Sequence, residues 1–318
     1  MTWMPFLCLA AGLFIGLREL SPKVLKEIDT IINIALVVLM LTIGLKIGSN
    51  EAVMSRLPSI GINCVVISLS AILFSILFTV LTEKTLLPLE KVQEKLSSEQ
   101  ISLNQEVDLD AEEKKETSPL IWIMPVSIVA GVIAGRWILP DAFIPVLGYL
   151  LISALVILYI SVGISLGSNR KVFRYLRILG FKVLYLSLAI FAGSFTGGLL
   201  SGLVLGLPLH ISVVSASGMS YYSLTGAYMT QVFGIEAGTY GFIVNVMREF
   251  FTVLLLPLLV KISKGSPIAG GAAGNMDTML APVTKFVGVE LGLVTLITGT
   301  VLTFAVPFIL PLFCRLFA

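Results

Sequence analysis

Apolar runs of about 20 residues recur from one end of this chain to the other, the length a helix needs to cross a bilayer. Hydrophobic residues make up 57% of the sequence and charged residues 13%, a balance that soluble domains do not show. The sequence therefore predicts an all-α integral membrane protein, because helices satisfy their own backbone groups in lipid. Spans are predicted at residues 3–17, 28–48, 58–82, 119–138, 143–167, 178–206, 239–260 and 287–314. No basic segment precedes the first run, Trp3 to Leu17, so it reads as a span and not as a cleaved signal peptide.

Two further segments, 209–233 and 267–284, are too interrupted by Gly, Ser and Pro to be ordinary spans. They are predicted to be broken, re-entrant hairpins, and such interruptions are the best sequence pointer to a transporter's binding site.

Internal repeats support that reading. The segment from Leu36 to Asn50 aligns without a gap on Leu155 to Asn169, and the same shift of 119 residues carries Gly12 onto Gly131 and Gly16 onto Gly135. Residues 1–82 and 119–206 are thus two copies of a three-helix unit, joined by a polar linker, 83–118. An odd number of spans makes the copies inverted. In the remainder, 207–318, Val232 to Gly238 matches Phe286 to Gly292, and Pro257 falls on Pro311 at the same offset of 54. Each of these copies reads as one broken hairpin followed by one span. The two would meet near the membrane midplane. The expected organisation is a scaffold, 1–206, and a transport unit, 207–318, able to move against one another.

Charge fixes an expected orientation. Ten of the 19 acids lie in the linker. With the N-terminus outside, the inner segments hold Arg18, Lys23, Lys26, five linker lysines, Arg170, Lys171, Arg174, Arg177, Lys261, Lys264 and Lys285. The outer side keeps chiefly Lys46, Arg56, Arg136 and Arg315. The positive-inside rule then puts both termini outside and the linker in the cytoplasm. Leu87 to Leu96 could form a short amphipathic helix at the membrane surface, with the acidic run beyond it disordered.

Chemistry concentrates between Ser215 and Asp277. Ser217, Ser220, Tyr221, Tyr222, Ser223 and Thr225 crowd one hydroxyl-rich segment around Gly218. They read either as unwound backbone lining a cavity or as tight helix packing through small residues. Asn245 and Glu249, four apart, share a helical face, while Arg248 points elsewhere, towards Asp277 or a hairpin end. Glu249 is either half of a structural ion pair or a carboxylate that titrates during transport. Asp277 sits beside Asn275 and Thr278, as a helix cap or a substrate contact. His210, the single histidine, reads as a residue of the outer mouth.

Other functions find little support. The three cysteines have no ligand spacing. No zinc motif, phosphate-binding Gly loop or nucleophile elbow is present, and a Ser217–His210 protease pairing is a weak match. No enzyme, metal, cofactor or nucleic-acid partner is expected; a homodimer in the bilayer is possible.

Ala216-Ser-Gly-Met-Ser-Tyr-Tyr-Ser-Leu-Thr-Gly226, Asn245-Val-Met-Arg-Glu249 and Gly274-Asn-Met-Asp-Thr278 resemble the lysine exporter LysO family. The specific likeness covers about residues 200–285, and the eight-span layout extends it along the chain. The resemblance implies export of L-lysine and toxic lysine analogues across the bacterial inner membrane in exchange for protons. Glu249 and Asp277 match the family's intramembrane acids. The sequence departs from the family's pattern at Thr225, at Asn275 and in its long acidic linker. An importer of small carboxylates or other anions, with Arg248 as the anion partner, is the alternative; a channel is a third class.

Overall fold

The computed structural model describes residues 3–18, 20–98, 120–140, 143–168 and 179–317. Among these there are helices and no strands. In chain order they are α1 (Met4–Gly16), α2 (Pro22–Gly48), α3 (Glu51–Thr85), α4 (Leu89–Ser98), α5 (Leu120–Trp137), α6 (Ile144–Ser168), α7 (Leu184–Leu205), α8 (Leu209–Ala216), α9 (Tyr222–Phe233), α10 (Ile235–Ile262), α11 (Gly265–Gly271), α12 (Leu280–Val287) and α13 (Val289–Phe317). Six are long and apolar enough to cross a membrane: α2, α3, α6, α7 (with the short turn from Phe181), α10 and α13. The 13-residue α1 and the described apolar part of α5, Val126–Trp137, are shorter.

All eight expected spans are helices, and three begin earlier than their apolar stretches. Ser21 accepts a hydrogen bond from the Val24 amide at 3.4 Å, so α2 starts at Pro22, a favoured first-turn residue. Asn50 accepts one from Val53 at 3.0 Å and starts α3 at Glu51, seven residues before the expected boundary at 58. α10 begins four residues early, directly after Gly234. Capping side chains fix helix starts more tightly than hydropathy does.

The 119-residue repeat is visible as packing. The ideal Cβ positions of Gly12 and Gly16 on α1 fall within 2.1–2.3 Å of α6 carbonyl oxygens. Their counterparts Gly131 and Gly135 on α5 lie as close to α2, at 2.6 and 2.4 Å. Only glycine permits such approach of two helices. α1 with α6 and α5 with α2 are therefore the same contact made twice. Across a shallow apolar groove Ile31, Ile34, Ala35 and Val38 of α2 face Leu150, Ser153, Ala154 and Ile157 of α6, their own repeat mates. The third helices, α3 and α7, pack on each other and on the C-terminal elements.

The second repeat is equally explicit. Gly234 and Gly288, 54 apart, have φ of 91° and 103°. Each turns the end of a hairpin directly into a long helix, a backbone region in which a Cβ is strained.

Re-entrance follows from helix directions. α3 and α7 are antiparallel: Ser75 meets Ser194, and Gly197 packs on Ser70 and Ala71. α10 runs parallel to α3, since Arg56 pairs with Glu236, Asn63 with Tyr240 and Ser75 with Arg248. α10 therefore starts on the face where α7 ends, and the α8–α9 hairpin leaves and returns to that face. At the opposite, linker face the Gly265 amide bonds Glu83 near the end of α3, at 3.0 Å. There Gln93 of α4 reaches Glu290 at the start of α13, at 3.2 Å. The α11–α12 hairpin thus leaves and returns to the linker face. Arms of 7 to 12 residues rise about 10–18 Å, well short of the roughly 30 Å hydrocarbon layer. The guanidinium of Arg315 lies 5.9 Å from the ring centre of Trp3, so both described ends share the other, terminal face.

Leu87, Leu89 and Leu96 of the α4 region are buried against Val283, Val287 and Leu291. The expected amphipathic helix exists and covers the base of the second hairpin. The acidic run at 99–118 lies outside the described residues, as do Glu19, Asp141, Arg170, Lys171, Arg174 and Arg177.

Replacing Gly16 or Gly135 by leucine is expected to push paired helices apart and destabilise the fold by about 1–3 kcal/mol. Gly61, whose Cβ would meet nothing within 4 Å, is the control. Thermal melting in detergent should drop for the first two variants and stay level for Gly61→Ala.

Candidate functional site

The tips of the two hairpins touch. The Met219 carbonyl accepts a hydrogen bond from the Ala273 amide at 2.9 Å, so Gly218 and Gly274 lie one residue either side of the crossing. The backbone is strained here: Met219, Ser220 and Ala272 have φ of 49°, 77° and 49° without being glycine. Such residues cost about 1–3 kcal/mol each and persist where the surroundings over-determine them.

α10 supplies those surroundings from a single turn. Asn245 is fully buried; its Oδ1 accepts from the Ser220 amide at 2.7 Å, and its Nδ2 donates to the Ser215 and Gly241 carbonyls at 2.9 and 2.7 Å. It holds the first tip. Arg248, 1% exposed, holds the second: Nε donates to the Gly270 carbonyl at 3.1 Å and an Nη to the Ala269 carbonyl at 2.9 Å. Its other hydrogen bonds go to Ser194 at 2.7 Å and Ser75 at 3.1 Å. Of the two directions considered for Arg248, the hairpin end is the one observed. Among the described residues no carboxylate pairs with it, so the structural ion pair with Glu249 does not form; the freed α11 carbonyls take that place.

Glu249 points away from this cluster. Its Oε1 accepts from the Thr278 hydroxyl at 3.2 Å, and the same hydroxyl lies 3.3 Å from Oδ1 of Asp277. One hydrogen can serve only one acceptor at a time, so the hydroxyl bridges two carboxylates that compete for it. The Thr278 amide also donates to Asp277, at 2.6 Å. The cap position of α12 is Met279, so helix capping does not account for Asp277. Gly274 makes room: a Cβ there would meet Glu249 Oε1 at 2.7 Å. Glu249 and Thr278 are half-buried and Asp277 is exposed, so the pair lies against an opening and not in packed protein.

The hydroxyl segment divides. Tyr221 and Tyr222, both half-buried, lie within electrostatic reach of Asp277, and Tyr222 also of Glu249. The edge of Tyr222 packs on Phe242 with ring centres 5.7 Å apart. Ser217, Ser220, Ser223 and Thr225 are buried, at 0–4% exposure. Thr225 bonds the Tyr221 carbonyl at 2.7 Å, while the Ser217 and Ser220 hydroxyls have no hydrogen-bond partner among the described residues. Asn275 is buried at the second tip and donates to the Ile268 carbonyl at 2.7 Å. His210 stacks on Phe233, centroids 4.7 Å apart, joining the two ends of the first hairpin at the terminal face.

Sequence reasoning missed Ser75, Ser194 and Thr303. The first two are repeat mates, 119 apart, whose hydroxyls touch at 3.1 Å, so the repeat could have revealed them. Thr303 donates to the Ala273 carbonyl at 3.1 Å and carries no such signal.

The chain matches the family described as Lysine exporter LysO over residues 6–96 and 126–314. It belongs to that family. A protein of Escherichia coli named "Lysine exporter LysO" is 27% identical over 159 residues, half of this chain and 53% of its own length. A "Putative lysine exporter" of Haemophilus influenzae is 26% identical over 159 residues, half of this chain and 81% of its own length. The aligned part thus spans about half of the first relative. No solved structure matches the chain. Membership in a transporter family agrees with a multi-pass, inverted-repeat membrane fold whose carboxylates face an opening.

Asn245→Leu should leave the Ser220 amide unpaired at the first tip, a loss of about 1–3 kcal/mol for that buried group, while the Ser215 carbonyl keeps the Gly218 amide and the Gly241 carbonyl its place in the α10 ladder. Its melting temperature in detergent is expected to fall clearly below that of wild type, whereas Ser223→Ala should melt normally.

Proposed function

We propose that this protein exports L-lysine and cationic lysine analogues from the bacterial cytoplasm by proton antiport, with the linker face in the cytoplasm and both termini outside. Family membership and the names of both relatives support the substrate. One observation carries the choice between cation and anion: two carboxylates share the Thr278 hydroxyl, while the nearest cation, Arg248, is buried and committed to carbonyls and serines. An anion carrier would need that guanidinium facing the substrate. A carboxylate pair against an opening suits an ammonium group.

Carrying a lysine cation outward against an inside-negative potential costs about 2.3 kcal/mol per 100 mV. A proton carried inward on the same cycle cancels that cost. Glu249 is the exchanging carboxylate: it takes either the proton or an ammonium group. Asp277 assists from the second hairpin, and the tyrosine pair at the start of α9 borders the substrate.

In proteoliposomes loaded with lysine, radiolabelled lysine counterflow should be rapid, be competed by cationic analogues and ignore small carboxylates. Glu249→Gln should cut pH-driven lysine flux at least tenfold while the protein still elutes as a folded species. Undiminished pH-driven flux in that variant would place the proton elsewhere. Carboxylates competing better than lysine would favour the anion reading. A maleimide that cannot cross membranes should fail to label Glu94→Cys in intact cells; efficient labelling would reverse the orientation.

A further inference from the structure

We infer that Arg248 is the fixed counter-charge that sets the exchange at one proton per lysine cation, acting through its field and without touching substrate. The inference rests on the proton-antiport reading above and adds its stoichiometry.

Three charged side chains lie at mid-depth among the described residues. α10 runs from Ile235 to Ile262, and Arg248 and Glu249 are its two central residues; Asp277 joins them from the tip of the second hairpin. The other charges near α10 sit towards the faces. Lys46 is near the end of α2, Arg56 is paired with Glu236 at the terminal face, and Glu83 is bonded to Gly265 at the linker face. Lys261, Lys264 and Lys285 are close to the linker face as well. Tyr240 of α10 and Tyr221 and Tyr222 of the first hairpin are neutral phenols, and His210 of α8 stacks on Phe233 at the terminal face.

Arg248 stays charged throughout. Its four hydrogen bonds go to two carbonyls and two hydroxyls, and a guanidinium has no accessible neutral form. The carbonyls are those of the C-terminal end of α11, where the helix dipole favours a cation. The serines are repeat mates, one from each inverted half. The charge is thus anchored where the two halves and the second hairpin meet.

The consequence is arithmetic. One guanidinium against two carboxylates leaves the centre with a net charge of minus one. One proton neutralises it, and so does one lysine, whose two ammonium groups and one carboxylate leave a single positive charge. Both loaded forms are neutral, which keeps the cost of rearrangement in a low-dielectric layer small. The empty form and a form loaded with both partners are charged, so they are disfavoured. Exchange is therefore one for one and electrically silent.

Losing Arg248 would favour the protonated carboxyls of the empty carrier, so the pH profile measured at lysine concentrations far below saturation would move to higher pH. For unit charges at neighbouring helix positions at an effective dielectric near 20, the displacement is about one pH unit.

The test uses the purified full-length protein in liposomes, with radiolabelled lysine, a pH-sensitive dye and potentials imposed by valinomycin and potassium. Wild type should move protons and lysine at a ratio of one, with a rate that changes less than twofold when the potential is reversed. Arg248→Lys should keep the wild-type pH profile, and Arg248→Gln should shift its midpoint upward by about one unit. A ratio other than one, a potential-driven wild-type flux, or an unshifted Arg248→Gln profile would overturn the inference. Should Arg248→Gln fail to fold, Arg248→His, which keeps a ring N–H donor but is largely neutral above pH 7, takes its place in the same assay with the same upward shift expected. Lysine flux that moves no protons at all would instead sink the antiport reading itself.

Discussion

One turn of α10 makes two broken hairpins possible inside a membrane. In hydrocarbon every amide and carbonyl released by a broken helix must find a partner within the protein. Here the partners are Asn245 for the first tip and Arg248 for the second, with Thr303 of α13 on the Ala273 carbonyl. The tips complete the arrangement by bonding each other through Met219 and Ala273. Remove that set of bonds and the two strained turns would keep only local hydrogen bonds, such as Tyr221 to Gly218, Met279 to Gly274 and Asn275 to Ile268, with nothing tying them to α10 or to each other.

The same turn separates structural from chemical work. Asn245 and Arg248, three apart, face the tips, and Glu249, four from Asn245, turns towards Thr278 and Asp277. Helical geometry therefore lets one residue of the turn remain unsatisfied by backbone while its neighbours are saturated. Rigidity at residues 245 and 248 leaves the carboxylate at 249 with the 3.2 Å Thr278 hydroxyl as its hydrogen-bond contact among the described residues. The exchange proposed above calls for that contrast: a firm frame, and one ligand that prefers neither occupant strongly.

Much of this was legible in the sequence, because symmetry and composition are one-dimensional. The 119-residue repeat becomes the doubled glycine contacts of α1 with α6 and α5 with α2. The 54-residue repeat becomes the two left-handed turns at Gly234 and Gly288. Gly and Ser interruptions marked both hairpins. What remained hidden depends on partners that composition does not display. Arg248 finds carbonyls instead of an acid, and any residue has a carbonyl, so nothing in the sequence singles out Ala269 and Gly270. Helix starts at Pro22 and Glu51 follow side-chain caps that lie outside the apolar runs. The buried state of Ser217, Ser220 and Thr225 beside the half-buried tyrosines is a matter of which side of a bent tip each residue occupies, and periodicity has no meaning across a break.

Inversion also explains why a lone arginine can sit at the centre without a carboxylate. Ser75 and Ser194 occupy the same position of the two repeats, and they meet where the antiparallel α3 and α7 cross. The cation at that crossing takes one hydroxyl from each repeat, Ser194 at 2.7 Å and Ser75 at 3.1 Å. Neutral, paired hydroxyls and the carbonyl end of α11 take all four of its hydrogen bonds and leave its charge unneutralised.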